Sequence, residues 1–234
     1  MDIADFARFV GLDARDLQRE AERGLLPGRK IGGQWRFNQI QVHQWLNQHM
    51  LTSDPKRLAA FEAARDRQAD TSQLMVTNLM GVESIELTFS ARTKASVLRE
   101  LVRLAERTAM VYDAPGLIEA LEKREEQGST AMPNGLAIPH PELPMPYATA
   151  EPLICVARSL SGIPFGAPNG SLTWLFVLIC KHDRDKHLHV LARLMRMFTP
   201  ELIQGLLNMD KPSDALKLLI TREKAVVAES SQPA

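Results

Sequence analysis

Cysteine is scarce: Cys155 and Cys180 are the only two among 234 residues. Both lie inside apolar, strand-like runs, which suits buried free thiols and excludes the disulfide framework of a small exported protein. A reducing, cytoplasmic setting is therefore expected. Charge of one sign is also lacking, since 28 Lys and Arg balance 28 Asp and Glu. No global field draws the chain to nucleic acid or to an anionic membrane, so any such binding needs a local patch. No run approaches 18 consecutive apolar residues, and "MDIADFARFV" places no basic segment ahead of an apolar one. Neither a membrane span nor an export signal is expected. There is no P-loop, no GxGxxG and no internal repeat, and "GIPFGAPNG" lacks the strand-to-helix context of a phosphate cradle. No cofactor is predicted.

The remaining composition, 45% hydrophobic and 24% charged, suffices for one large core or two smaller ones. Residues 1–50 read as a separate unit. "DIADFARFVGLDARDLQREAERGLLPG" predicts two short helices with a turn near Gly11 to Asp13, sharing an apolar face of Ile3, Phe6, Ala7, Val10, Leu12 and Leu17. "RKIGGQWRFN" predicts a hairpin turning at Gly32 and Gly33. A third helix, capped by Asn38, closes the core with Ile40, Val42, Trp45 and Leu46, leaving His43 and His49 on the surface. Residues 51–75 are rich in Ala, Arg and Asp with balanced charges, and read as a helical or flexible linker with a solvated surface.

Beyond residue 76 the pattern becomes α/β. "SIELTF", "GLAIPH", "PLICVARSL" and "SLTWLFVLIC" read as strands, the last so continuously apolar that helices should cover both its faces. Between and after them come helices with clear start signals, Asp113 ahead of "APGLIEALEKREEQ" and Thr199 ahead of Pro200. The expected fold class is α/β: a mixed sheet flanked by helices, preceded by the small helical unit, with residues 224–234 as a disordered tail.

Chemistry concentrates in two stretches, "KREEQGSTAMPNGLAIPH" and "HDRDKHLHVLARL". In the first, Pro139 and Pro141 flank His140, so the imidazole stands at a rigid strand end. Near its reference pKa of about 6.5 a neutral imidazole offers a nitrogen lone pair for nucleophilic work. Taken alone, His140 reads equally as a hydrogen-bonded loop histidine, Arg124 as a helix-end cation, and Ser129 with Thr130 as a turn. His182, His187 and His189 match no standard zinc spacing, and no metal site is predicted; His189 reads as a surface neighbour.

Two resemblances sharpen these readings. "LLPGRKIGGQWRFNQIQVHQWL" resembles the turn, wing and closing helix of the excisionase-type, MerR-like winged helix-turn-helix family. The resemblance implies Arg15, Gln18 and Arg19 near DNA bases and Arg29, Lys30, Gln34 and Arg36 near phosphates. Residues 1–50 carry seven Lys and Arg against six Asp and Glu, a weak footprint for DNA, so a fold kept for protein docking or dimerisation stands as the alternative. Over residues 76–223, "REEQGST", "LAIPH", "GIPFGAPNG" and "HLHVL" resemble, in order, enzyme IIA of the mannitol/fructose class of the phosphoenolpyruvate-dependent phosphotransferase system, nitrogen-regulatory members included. This implies a phosphocarrier in which His140 accepts a phosphoryl group from an HPr-type protein, with His187, Arg124, Thr130 and Ser129 around it. The combination implies that phosphorylation is coupled to DNA binding or to a regulated protein partner; the alternative is a docking regulator without phosphotransfer. Pro141 stands where the family commonly has Gly, and Asn169 with Gly170 where Asp-Gly is usual, which implies unusual donor specificity.

Overall fold

The computed structural model describes residues 1–68 and 74–230. The first unit follows the expected order. Helix α1 (Ile3–Val10) is capped by Asp2, whose carboxylate accepts the Asp5 N–H, and ends at Gly11 in the left-handed region. A side chain at position 11 is excluded twice over: φ is +71°, and a Cβ there would stand 2.2 Å from the Ala60 carbonyl oxygen. Helix α2 (Ala14–Glu22) is capped by Asp13. Strands β1 (Gly28–Ile31) and β2 (Gln34–Phe37) pair antiparallel, with Gly32 and Gly33 both at positive φ in the turn. Asn38 accepts two backbone N–H groups at the start of α3 (Gln39–His49). Phe6, Leu17, Phe37 and Val42 form the centre of this core. Ile40, expected there, is instead 52% exposed, while Phe9 and Leu26 are buried with that core. His43, expected on the surface, is buried.

The expected linker is a structural element in its own right. Helix α4 (Pro55–Gln68) packs on α1, where the Phe61 and Phe9 rings meet edge to face, and Arg57 forms a two-pronged pair with Glu20 at 3.0 and 2.9 Å. On its other side Glu62, with no exposed surface, pairs with Arg193 and, at 2.5 Å, with Arg196. The balanced charges predicted to be solvated are thus partly spent on burial against the rest of the chain. Residues 69–73, the remainder of that linker apart from Leu74 and Met75, lie outside the described residues.

The larger unit is a mixed α/β structure, as expected. Its sheet runs β3 (Ile85–Phe89), β5 (Leu153–Ile163), β6 (Thr173–Cys180), β4 (Leu136–Ala137); β3 with β5 and β4 with β6 are parallel, and the central pair is antiparallel. Strand alternation divides β6 between two cores. Leu175, Val177 and Ile179 face α7 (Arg184–Met197), α8 (Pro200–Leu207) and α9 (Pro212–Ser230), whereas Phe176, Leu178 and Cys180 face α5 (Lys94–Glu106) and α6 (Ala114–Glu126). That is why the sequence of β6 shows no polar side. Both cysteines are free and buried. Helix α9 continues through Ser230, with Glu223 and Val226 fully buried, so residues 224–230 are helical and not the disordered tail expected; residues 231–234 lie outside the described residues. Among the described residues no helix is long and apolar enough to cross a membrane.

Candidate functional site

Parallel pairing brings the two chemical stretches together. The chain beyond β4 continues along β6, where Ile179 N–H donates to the Pro139 carbonyl at 3.1 Å. His140 follows at once, and Lys181 follows the end of β6. His187, one turn into α7, completes the group: its ring centroid lies 4.9 Å from that of His140.

His140 has no exposed surface. Its Nδ1 lies 2.7 Å from the Ile138 carbonyl oxygen, an acceptor only, so the proton sits on Nδ1 and the lone pair on Nε2. Nε2 is buried and has no hydrogen-bond partner. His187 is arranged the other way round: Nε2 meets Asn47 Oδ1 at 2.9 Å, and Nδ1 is buried without a partner. Burial holds both imidazoles neutral, well below the ordinary histidine pKa, and the nearby charges of Lys181 and Arg124 act in the same direction.

Those two cations define the electrostatics. Arg124 is 3% exposed and donates from its guanidinium to the Gly128 carbonyl at 2.8 Å, fastening the end of α6 to the following turn. Lys181 donates to the Glu142 carbonyl at 2.9 Å, and burial, reinforced by Arg124, brings its amine down to about 7. Lys181 was missed by sequence reasoning, although a lysine directly after eight strand residues as apolar as β6 was a usable signal. Ser129 and Thr130 are close in sequence to Arg124 but their hydroxyls are engaged elsewhere. Ser129 donates to the Phe165 carbonyl at 2.9 Å, and Thr130 donates to the Glu125 carboxylate, which Lys94 also pairs at 3.1 Å. The pair braces the turn beneath the pocket.

The other histidines separate from the site. His182 Nε2 lies 2.8 Å from Thr149 Oγ1, and His189, expected on the surface, is fully buried near Asp66. The residues expected at DNA are all exposed: Arg15, Gln18 and Arg19 on α2, and Arg29, Lys30, Gln34 and Arg36 on the hairpin. Several are partnered within the unit, Arg19 with Asp16 at 2.7 Å, Arg36 with Gln34 at 2.9 Å, and Lys30 over the Trp35 ring.

Comparison with known proteins bears directly on both units. Residues 1–50 match a helix-turn-helix domain family. Curated relatives include a fructose-specific EIIA component of Haloferax volcanii, 27% identical over 159 residues, 67% of this chain and 90% of that one. A nitrogen regulatory protein of Pseudomonas aeruginosa is 28% identical over 130 residues, 55% of this chain and 82% of that one. A fructose-specific EIIABC component of Bacillus subtilis is 27% identical over 61% of this chain, which spans only 22% of that larger protein. Among solved structures, the nitrogen regulatory protein IIA-Ntr of Neisseria meningitidis superimposes with a TM-score of 0.56 at 22% identity, covering 62% of this chain and 98% of that one. Escherichia coli IIA mannitol gives 0.52 at 21% identity, covering 60% and 98%. These last two show the shared fold. Residues 78–221 match the family described as phosphoenolpyruvate-dependent sugar phosphotransferase system, EIIA 2, and the chain belongs to that family, with a helix-turn-helix domain in front.

Proposed function

We propose that the protein is a regulatory phosphocarrier of the cytoplasm, with a winged helix-turn-helix module at residues 1–50, a connecting helix within 51–75 and an enzyme IIA domain at 76–223. A phosphoryl group passes from the phosphohistidine of an HPr-type donor to Nε2 of His140. The donor's N–P bond breaks as the Nε2 lone pair forms the new one, and the proton stays on Nδ1, hydrogen-bonded to the Ile138 carbonyl. One observation carries this reading: a fully buried, unpartnered imidazole lone pair lies beside two buried cations. Arg124 and Lys181 would receive the phosphoryl oxygens, whose charge develops where water is excluded. His187 would donate its ring proton to them, while Ser129 and Thr130 hold the Arg124 turn in place.

The phosphorylation state would be read by the first module, as altered binding to DNA or to a protein partner. Relatives whose names specify fructose, mannitol or nitrogen regulation leave the class of signal open to experiment. The docking-regulator alternative is favoured by one observation, the complete burial of His140. Incubation with phosphoenolpyruvate, enzyme I and a panel of HPr paralogues separates the two. The expected result is an acid-labile adduct on the intact protein that is absent from a His140→Ala variant. An adduct that persists in the variant refutes the site, and no adduct with any donor leaves the docking role.

A further inference from the structure

The chain's own first module covers His187, the ring that stands beside His140. Helix α3 lies across the pocket: Asn47, 5% exposed, reaches His187, and one turn earlier His43 Nε2 stands 3.2 Å from Asp185 Oδ1. Gln44 Nε2 donates to Glu142 Oε1 at 2.9 Å. The crevice left between α3 and the larger domain beside His187 measures about 20 Å³. That is room for a single water and not for a phosphorus atom with its three oxygens.

A conflict over one proton adds to the steric one. Neutral His187 has a single N–H, and it is committed to Asn47 Oδ1. Donating it to a phosphoryl group means giving up Asn47. A second proton is disfavoured by burial next to Lys181 and Arg124. The incoming dianion would also meet the Asn47 carbonyl oxygen and the Glu142 and Asp185 carboxylates at the same interface.

We propose that α3 is an intramolecular plug on the phosphoacceptor face: α3 and an HPr-type donor compete for one surface, and docking of the module excludes phosphorylation of His140. This rests on the phosphocarrier reading above. The plug is suited to release, because its buried polar contacts are few, Asn47 with His187 and His43 with Asp185, and the Gln44 contact with Glu142 is exposed. Helix α4, by contrast, is held to the larger domain through the buried Glu62 pairs with Arg193 and Arg196, so the face that parts is that of α3. The same docking brings Arg29 and Arg36 of the hairpin into a cleft walled on its other side by Gln127 and Glu142. Release would therefore change what the hairpin arginines can reach.

The test locks the plug in the full chain. Gln44→Cys and Glu142→Cys place thiols on two side chains that touch, while Cys155 and Cys180 are buried away from reagent. A short, cleavable bis-maleimide then bridges α3 to the larger domain. With phosphoenolpyruvate, enzyme I and HPr paralogues, the bridged form is expected to accept phosphate at least tenfold more slowly than the same protein after cleavage. Asn47→Ala, which frees the His187 proton, is expected to accept at least threefold faster than the parent. Equal rates with and without the bridge would overturn the plug, as would failure of the pair to bridge. An unchanged or slower Asn47→Ala counts against it. No adduct in any form, the unbridged parent and Asn47→Ala included, would bring down the phosphocarrier reading and the plug with it.

Discussion

The two units handle their cations in opposite ways. On the first, Arg8 pairs with Asp5 at 2.8 Å and Arg19 with Asp16 at 2.7 Å, each one helical turn apart and in solvent. In the pocket of the second, Arg124 and Lys181 are almost fully buried, and the hydrogen bonds they make go to carbonyl oxygens. Exposed pairs of the first kind contribute about 0–1 kcal/mol and neutralise their own surface. A buried cation without a close ion pair costs several kcal/mol, offset here only in part by Glu142 near both cations and Glu125 near Arg124. On the proposed function, that cost is sustained where the phosphoryl anion is received, whereas the surface of α2 carries no such cost.

The largest effect that would sharpen this contrast concerns Lys181. Its amine titrates near 7 in the folded chain and near 10.4 in an unfolded one. Between those values the unfolded state binds the extra proton, so stability rises with pH across the window and the full cost is felt below it. Lys181→Met should raise stability below pH 7 by on the order of 3 kcal/mol, seen as a higher urea midpoint, while slowing phosphoryl acceptance. A variant that loses stability would show the lysine to be a structural strut.

Next in size is the acid response of the histidine pair. His140 and His187 are held neutral well below their ordinary range by burial, and unfolded histidines protonate near 6.5. Below that pH the unfolded chain takes up two protons that the native pocket refuses. Stability should fall by up to about 2.7 kcal/mol per pH unit just below 6, measured as urea midpoints at pH 7.5 and 5.5. His140→Gln with His187→Gln should flatten that slope; a slope unchanged in the double variant would place the acid sensitivity elsewhere.

The smallest effect belongs to the first unit. If it binds DNA, its near-neutral surface predicts a shallow salt dependence, and Arg29→Ala or Lys30→Ala should each lower the logarithmic slope by about 1. Fluorescence anisotropy at two salt concentrations measures this. A steep slope in the parent would break the contrast between the two units.

Much of the larger domain was legible because its signals are local. Asp113 and Thr199 cap α6 and α8 as expected, and the unbroken apolar run of β6 follows from two packed faces. The residues that were misjudged share a different cause. His43 and Glu62 are polar residues buried against the larger domain, as is Asn47, for which the sequence pattern offered no reading; hydrophobic periodicity reports only the core that a segment builds for itself. Ile40 errs in the opposite direction: it lies at the edge of the same α3 face, beside the crevice against the larger domain, and stays 52% exposed. His43 and Asn47 stand four apart beside Val42 and Leu46. A polar pair in step with the apolar stripe was the available hint of a second interface.

The Glu62 carboxylate carries a consequence for severability. Family matching cuts the chain at residues 78 and 221, yet Arg193 on α7 depends on Glu62 before the first cut and on Glu223 after the second. Glu223 in turn holds the Val76 and Thr77 amides at 2.5 and 2.8 Å. A fragment trimmed to the matched boundaries would keep His140 and His187 but remove the Glu62 and Glu223 carboxylates that pair the buried guanidinium groups of Arg193 and Arg196. In the history of such a protein the front unit, its connecting helix and the last turns of α9 would have to be inherited or lost together, as one piece of a molecule whose two named parts are no longer interchangeable.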